Sequence, residues 1–253
     1  MNKIDIDLKL NQDAPTLFEM LNIPVRDRIN SFVSLKEKEF PYQVFDKVVP
    51  SSTGDDIYVR QAVLDKLKLA QSHLNAMPGF EMDRLEVTYG YRSPDIQHQK
   101  YIDQIQRFYS KDKDAQTIME MANVYIACPH TAGHPSGAAI DLWITDKDGH
   151  PLDFGTDMHD LSEKSSVFNR EITEAGYQNR LILRACMMKA GFAPYNGEWW
   201  HFSYGDREHA LWIGEGEAFY SPCSYHPDTQ SFSEWSGLNF NYINFVQNIG
   251  ENT

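Results

Sequence analysis

The stretch Phe192-Ala193-Pro194-Tyr195-Asn196-Gly197-Glu198-Trp199-Trp200-His201-Phe202 reads first as a β-hairpin. Asn-Gly accepts the positive φ angles of a two-residue turn more readily than almost any other dipeptide, and apolar or aromatic residues flank it on both sides. Working outward, Leu85, Val87 and Tyr89 alternate with Glu86 and Thr88, the pattern of a half-buried strand, and Ala138 to Thr145 reads as another. Between and around these lie helical patterns: a short one after Asp13 and Pro15 with Leu17, Met20 and Leu21 on its apolar face, then Val59 to Leu74, Asp95 to Phe108, Asp114 to Ile126, and Arg170 to Ala190 closed by Gly191. Phe40 to Asp56, rich in Pro, Ser and Gly, reads as irregular loop. Strands and helices mix without a βαβ repeat, which predicts an α+β class: a single compact domain, a central antiparallel sheet flanked by helices. The expected organisation is one domain over residues 1–253, with a motif-bearing core at about 85–204 and flanks 1–58 and 205–253 packed on it.

The composition agrees with a folded chain. Of 253 residues, 42% are hydrophobic, 13% aromatic and 23% charged, enough to bury a large core without staples. A formal net charge of −13 repels phosphate backbones, so a nucleic-acid partner is not expected. No apolar run reaches the ~18 residues of a membrane span, and Met1 to Gln12 alternates Ile and Leu with Asp and Lys. This reads as a cytoplasmic chain, periplasmic if a leader has been removed. Cys128, Cys186 and Cys223 are too scattered for a disulfide framework or a thiolate site, so a metal would need His and carboxylate donors.

Of the nine histidines, His73 and His98 lie in helical patterns with no paired ligand and His150 sits in a turn beside Asp148 and Gly149, whereas His134 and His201 sit in motifs. His134 lies in Ala132-Gly133-His134-Pro135-Ser136-Gly137, and seven residues later Asp141 interrupts the apolar run Ala138-Ala139-Ile140-Asp141-Leu142-Trp143-Ile144. A carboxylate between Ile140 and Leu142 is costly to bury unless a cation or strong donors compensate it. Two histidines and one aspartate are a three-ligand zinc set that leaves a fourth position for water, the catalytic rather than the structural pattern. One Zn2+ per chain is therefore expected on His134, Asp141 and His201. Glu198 follows the Asn196-Gly197 turn, where a bulge or twist can aim it at the same pocket despite the i, i+3 spacing to His201, and a carboxylate there is a general base. Arg92, in Tyr89-Gly90-Tyr91-Arg92-Ser93-Pro94 between a strand and a helix, is the candidate to stabilise an oxyanion. Together these suit hydrolysis of an amide.

At this point the residues resemble a known family, the zinc D-alanyl-D-alanine dipeptidases of the vancomycin-resistance (VanX-like) type, relatives of the D,D-carboxypeptidases. Gly90-Tyr91-Arg92-Ser93-Pro94, His134 through Asp141-Leu142, Leu152-Asp153-Phe154-Gly155-Thr156 and Glu198-Trp199-Trp200-His201 match in order. The resemblance implies a D,D-peptidase/Hedgehog-like fold, the same zinc ligands, Glu198 and Arg92 in the same roles, a D-amino-acid dipeptide as partner, and a place in cell-wall peptidoglycan chemistry. Two departures stand out. Ala132 replaces a serine that the family uses near its substrate. After Gly155-Thr156 the family places an aromatic residue and then an aspartate for the substrate amine, where this chain has Asp157-Met158-His159-Asp160. The substrate-binding candidates are then Asp160, one residue late, Asp157, or His159 in the aspartate's place. Dipeptidase is the leading expectation. A D,D-carboxypeptidase or peptidoglycan peptide endopeptidase, or a metal-binding interaction module without turnover, are the alternatives.

Overall fold

The computed structural model describes residues 15–28, 31–45, 53–160 and 162–251. The first helix, α1 (Leu17–Leu21), starts at a capping box in which Thr16 and Glu19 satisfy each other's exposed backbone donors. Asp13, expected near this start, lies outside the described residues. Two short strands, β1 (Phe32–Ser34) and β2 (Tyr58–Arg60), pair antiparallel as a small sheet and lead directly into α2 (Gln61–Asn75). Val59, expected in the helix, belongs to β2 instead, because the chain turns only after Arg60.

The central sheet comprises β3 (Arg84–Tyr89), β4 (Ala139–Thr145), β5 (Ala193–Pro194) and β6 (His201–Ser203), in the order β3-β4-β6-β5 and antiparallel throughout. The α+β expectation with a central antiparallel sheet holds. Helices α3 (Pro94–Phe108) and α4 (Ala115–Asn123) lie between β3 and β4, with Ser93 and Asp114 as N-caps. Helix α5 (Glu174–Lys189) starts at the Thr173 cap, later than the expected Arg170.

The hairpin needs correction. Strands β5 and β6 do pair, but Ala193 faces Ser203 and Pro194 faces Phe202. The connection therefore runs from Tyr195 to Trp200, and Asn196-Gly197 is not a two-residue hairpin turn. The two tryptophans account for the longer excursion. Trp199 stacks on Phe154 at 4.2 Å between ring centroids and donates its indole N–H to Thr156 Oγ1 at 2.9 Å, while Trp200 is buried beside it. Continuing the ladder through both would have sent one indole to each face of the sheet.

Strand alternation sorts β4. Ile140, Leu142 and Ile144 enter a core shared with α2 (Val63, Leu64, Leu67) and α5 (Leu183, Met187), so Asp141 points to the other face. Beyond that face stands a second apolar cluster from α1, α3 and α4, joined by α7 (Tyr242–Glu251) of the C-terminal tail. Tyr242 and Val246 of that tail are buried in this cluster. After β6 the tail forms α6 (Arg207–Ile213) and the hairpin β7 (Cys223–His226) with β8 (Ser231–Glu234) before α7. No helix among the described residues is long and apolar enough to cross a membrane.

Candidate metal centre and cavity

Asp141 and His201 stand directly opposite each other across β4 and β6, so their side chains rise on one face of the sheet. His201 Nδ1 lies 2.9 Å from Asp141 Oδ1. His134 reaches the same oxygen from the one-turn 3₁₀ segment His134–Ser136, with Nε2 at 3.5 Å. Its other ring nitrogen, Nδ1, is 2.8 Å from the Gly90 carbonyl oxygen, a bond that assigns the hydrogen to Nδ1 and leaves the Nε2 lone pair free. Gly90 must be glycine, because a Cβ would stand 2.6 Å from Ile57 Cγ2 and 2.7 Å from the Tyr58 carbonyl oxygen. The three donor atoms lie within 4.8 Å of one another, the separation expected around a single ion.

Burial sets their charges. It presses His134 down to about 4, leaving that ring neutral and ready to ligate. Burial also opposes charge on His201, but the hydrogen bond to Asp141 and the nearby carboxylates outweigh it and hold the ring up to about 9. For Asp141, burial favours the neutral acid, yet the three surrounding histidines pull its carboxyl well below the usual range. Two imidazoles and a carboxylate, with no thiolate near, fit zinc with an open position.

The site forms the floor of a cavity of about 170 Å3 between the sheet and the α3–α4 layer. Glu198, Trp200 and Tyr195 come from the β5–β6 connection, and the His201 N–H donates to the Glu198 carbonyl at 3.2 Å. That turn brings Glu198 to the cavity beside His201 and removes the opposite-face objection, since Glu198 is outside the strand. No donor among the described residues hydrogen-bonds its carboxylate, and burial pushes its carboxyl up.

Arg92 is buried and also lines the cavity. Its N–H donates to the His134 carbonyl at 3.2 Å, its Nη1 donates to Gln97 Oε1 at 2.6 Å, and its Nε donates to Tyr89 Oη at 3.3 Å. Gln97 is in turn held by its amide on the Ala127 carbonyl at 2.6 Å, so the guanidinium is braced from α3. Sequence reasoning missed Gln97, although its place one turn after the Ser93-Pro94 helix start is the signal that would have put it beside Arg92.

Of the residues considered for substrate contact, His159 lines the cavity, while Asp157 and Asp160 are not among its lining residues. A carboxylate that the sequence reading did not single out, Glu208, is. It sits in the first turn of α6, its nearest charged partner is His201 Nε2 at 3.9 Å, and burial lifts its carboxyl to about 7. An acid just after the Asp206 N-cap is ordinary for a helix start, which conceals it in the sequence. Pro15, just before helix α1, and Met20 within it line one side of the cavity, and α1 is tied down by its Leu17 and Phe18 N–H groups on the Glu120 carboxylate at 3.0 and 3.3 Å.

The family model described as D-ala-D-ala dipeptidase matches residues 37–215. The chain is 33% identical over 115 residues to the D-alanyl-D-alanine dipeptidase of Escherichia coli (strain K12), a match covering 42% of this chain and 60% of that protein. It is 34% identical over 111 residues to the D-alanyl-D-alanine dipeptidase of Synechocystis sp., covering 40% of this chain and 41% of that protein. The alignments thus span about 60% and 41% of the length of those relatives. Among solved structures, the vancomycin resistance D,D-pentapeptidase VanY in complex with Zn(II) is 15% identical, with a TM-score of 0.35, over 78% of this chain and 96% of that one.

Proposed function

The chain belongs to the D-ala-D-ala dipeptidase family, whose model spans residues 37–215, and from that premise we propose that it is a zinc metallopeptidase hydrolysing a D-alanyl-D-alanine-type dipeptide. The observation that carries this reading is the convergence of His134, Asp141 and His201 with Glu198 and Arg92 on one small cavity. When bound there, zinc lowers the pKa of the attacking water and polarises the scissile carbonyl. Glu198, whose carboxylate accepts no hydrogen bond from the described residues, takes the proton of the attacking water and hands it to the leaving amine. Arg92, already fixed by Gln97 and Tyr89, sets its positive charge against the oxyanion that develops on the carbonyl.

Cavity size favours a dipeptide over a longer chain. About 170 Å3 is below the roughly 300–1,000 Å3 of pockets for drug-sized ligands, and Met20 of α1 lines one side of it. The decisive experiment assays the zinc-loaded protein on free D,D and L,D dipeptides and on N-acylated peptides. Hydrolysis confined to acylated peptides would replace this reading with a carboxypeptidase or endopeptidase, and a zinc-loaded protein idle on all of them would leave a binding module.

Arg92→Ala is expected to lower turnover by a factor on the order of 10² to 10³, the usual cost of one oxyanion donor. The same substitution in a surface arginine would leave turnover unchanged, so steady-state kinetics on the variant decides its role. A free dipeptide also brings an ammonium group into a largely buried cavity, where a carboxylate would pair it. Asp141 and Glu198 are committed, and Glu208 is the remaining carboxylate among the described residues that line the cavity. The free dipeptide is therefore expected to be preferred over its N-acetylated form by ~10²-fold or more, since an unpaired buried charge is costly. Glu208→Gln should shrink that preference, with the loss mainly in KM. A preference that survives Glu208→Gln but collapses in Asp160→Asn or Asp157→Asn would return amine recognition to the loop.

A further inference from the structure

Asp141 presents its two oxygens to different neighbours. Oδ1 faces His201 Nδ1 at 2.9 Å and His134 Nε2 at 3.5 Å, whereas Oδ2 lies 3.1 Å from His159 Nε2. Since a carboxylate only accepts, the His159 hydrogen is on Nε2 and is donated to Oδ2. The geometry points to His159 as a positioning residue of the metal centre, holding Asp141 so that it ligates through Oδ1 alone. This rests on the reading of His134, Asp141 and His201 as zinc ligands.

The fold constrains His159 heavily for that task. Its φ of +61° is in the left-handed region that side-chain-bearing residues rarely adopt, and its ring is 11% exposed. Aromatic rings meet it edge-on or tilted from different elements: Phe45 at 5.5 Å, Tyr89 at 6.3 Å and Trp200 at 5.6 Å between centroids. Nδ1 is buried without a hydrogen-bond partner among the described residues, so the ring's hydrogen bond there goes to Asp141. The loop that carries it is clamped by the buried guanidinium of Arg180, which donates to the carbonyls of Phe154 at 2.7 Å, Lys164 at 2.7 Å and Ser166 at 2.8 Å. Immediately after His159 the Asp160 carbonyl accepts from the Ser165 hydroxyl. A loop pinned on both sides of a residue with left-handed backbone delivers its ring to one place, the outer oxygen of a ligating carboxylate. Such outer partners fix ligand orientation, and losing one commonly weakens metal binding by ~10–100-fold.

The test measures zinc affinity by competition with a chromophoric chelator in the full-length wild type, H159F and H159Q. H159F keeps a flat ring without the donor; H159Q restores an N–H of similar reach. Zinc-edge X-ray absorption on the loaded proteins counts imidazole ligands. The expected result is a 10–100-fold weaker dissociation constant in H159F, partial recovery in H159Q, and two imidazole ligands in all three. Wild-type affinity in H159F overturns the proposal. So does a third imidazole in the wild type that is missing from H159F, which would make His159 a ligand. Unchanged affinity with a raised KM would overturn it in favour of direct substrate contact. If the wild type itself takes up no zinc, the reading of the metal centre fails, and this inference with it.

Discussion

His134→Ala and His201→Ala are each expected to abolish zinc retention and, with it, hydrolysis. The site has two nitrogen donors and one oxygen donor, and the described residues provide no other cluster of metal-ligating side chains. Removing one leaves two protein ligands, short of the three that a catalytic zinc site uses. Elemental analysis after dialysis reads the loss directly, and unchanged metal content in both variants would place the metal elsewhere. The charge state of His201 adds a second signature. Held up to about 9 by Asp141 and the carboxylates around it, the ring is protonated at neutral pH in the metal-free protein. A ligating imidazole must be neutral, so zinc uptake at pH 7 should release ~1 proton from this ring, and apparent affinity should rise with pH until the ring's own pKa is passed. Calorimetry in buffers of different ionisation enthalpy measures that proton. Its absence would mean that His201 is already neutral before the metal arrives.

Glu198→Gln is expected to keep zinc and lose at least ~10²-fold in turnover. The amide has nearly the shape of the carboxylate but cannot accept the proton of the attacking water. Glu198 is outside the ligand cluster, and no hydrogen bond among the described residues ties its carboxylate to the fold, so the substitution breaks no structural bond. The readouts therefore separate: metal content and thermal unfolding stay near wild type while kcat falls. Turnover within a few-fold of wild type would show that another group takes the proton, and Glu208, also in the cavity, would be the first to examine.

The proposed ligand Asp141 stood out in the sequence because buried charge is conspicuous in an apolar run: a carboxylate between Ile140 and Leu142 needs a cation or strong donors to compensate it. The helices were legible for a comparable local reason: their caps, Ser93, Asp114 and Thr173, satisfy backbone donors within one turn of sequence. The connection around Glu198 was not. Asn196-Gly197 has the local preference for a tight turn, but burial of Trp199 against Phe154 and of Trp200 beside it moves the register three residues along and lengthens the connection. Local propensity yielded to the burial of two large side chains, the ordinary outcome when the two compete.

Partners brought together from distant parts of the chain were the least legible. Glu208 resembles any first-turn acid until α6 docks at the cavity, and His159, singled out in the sequence only by its place after Gly155-Thr156, meets Asp141 only once the loop that Arg180 holds is folded against the sheet. The amino-acid sequence by itself determined the residue chemistry, the strands β3 and β4, the helices α1 to α5 to within a few residues, and the candidate donors, because periodicity, capping and the cost of buried charge act over a few neighbouring residues. Only the tertiary structure decided which oxygen of Asp141 faces the donors, which carboxylates share the cavity and how Glu198 reaches it, because these depend on register between strands and on packing between elements far apart in the chain.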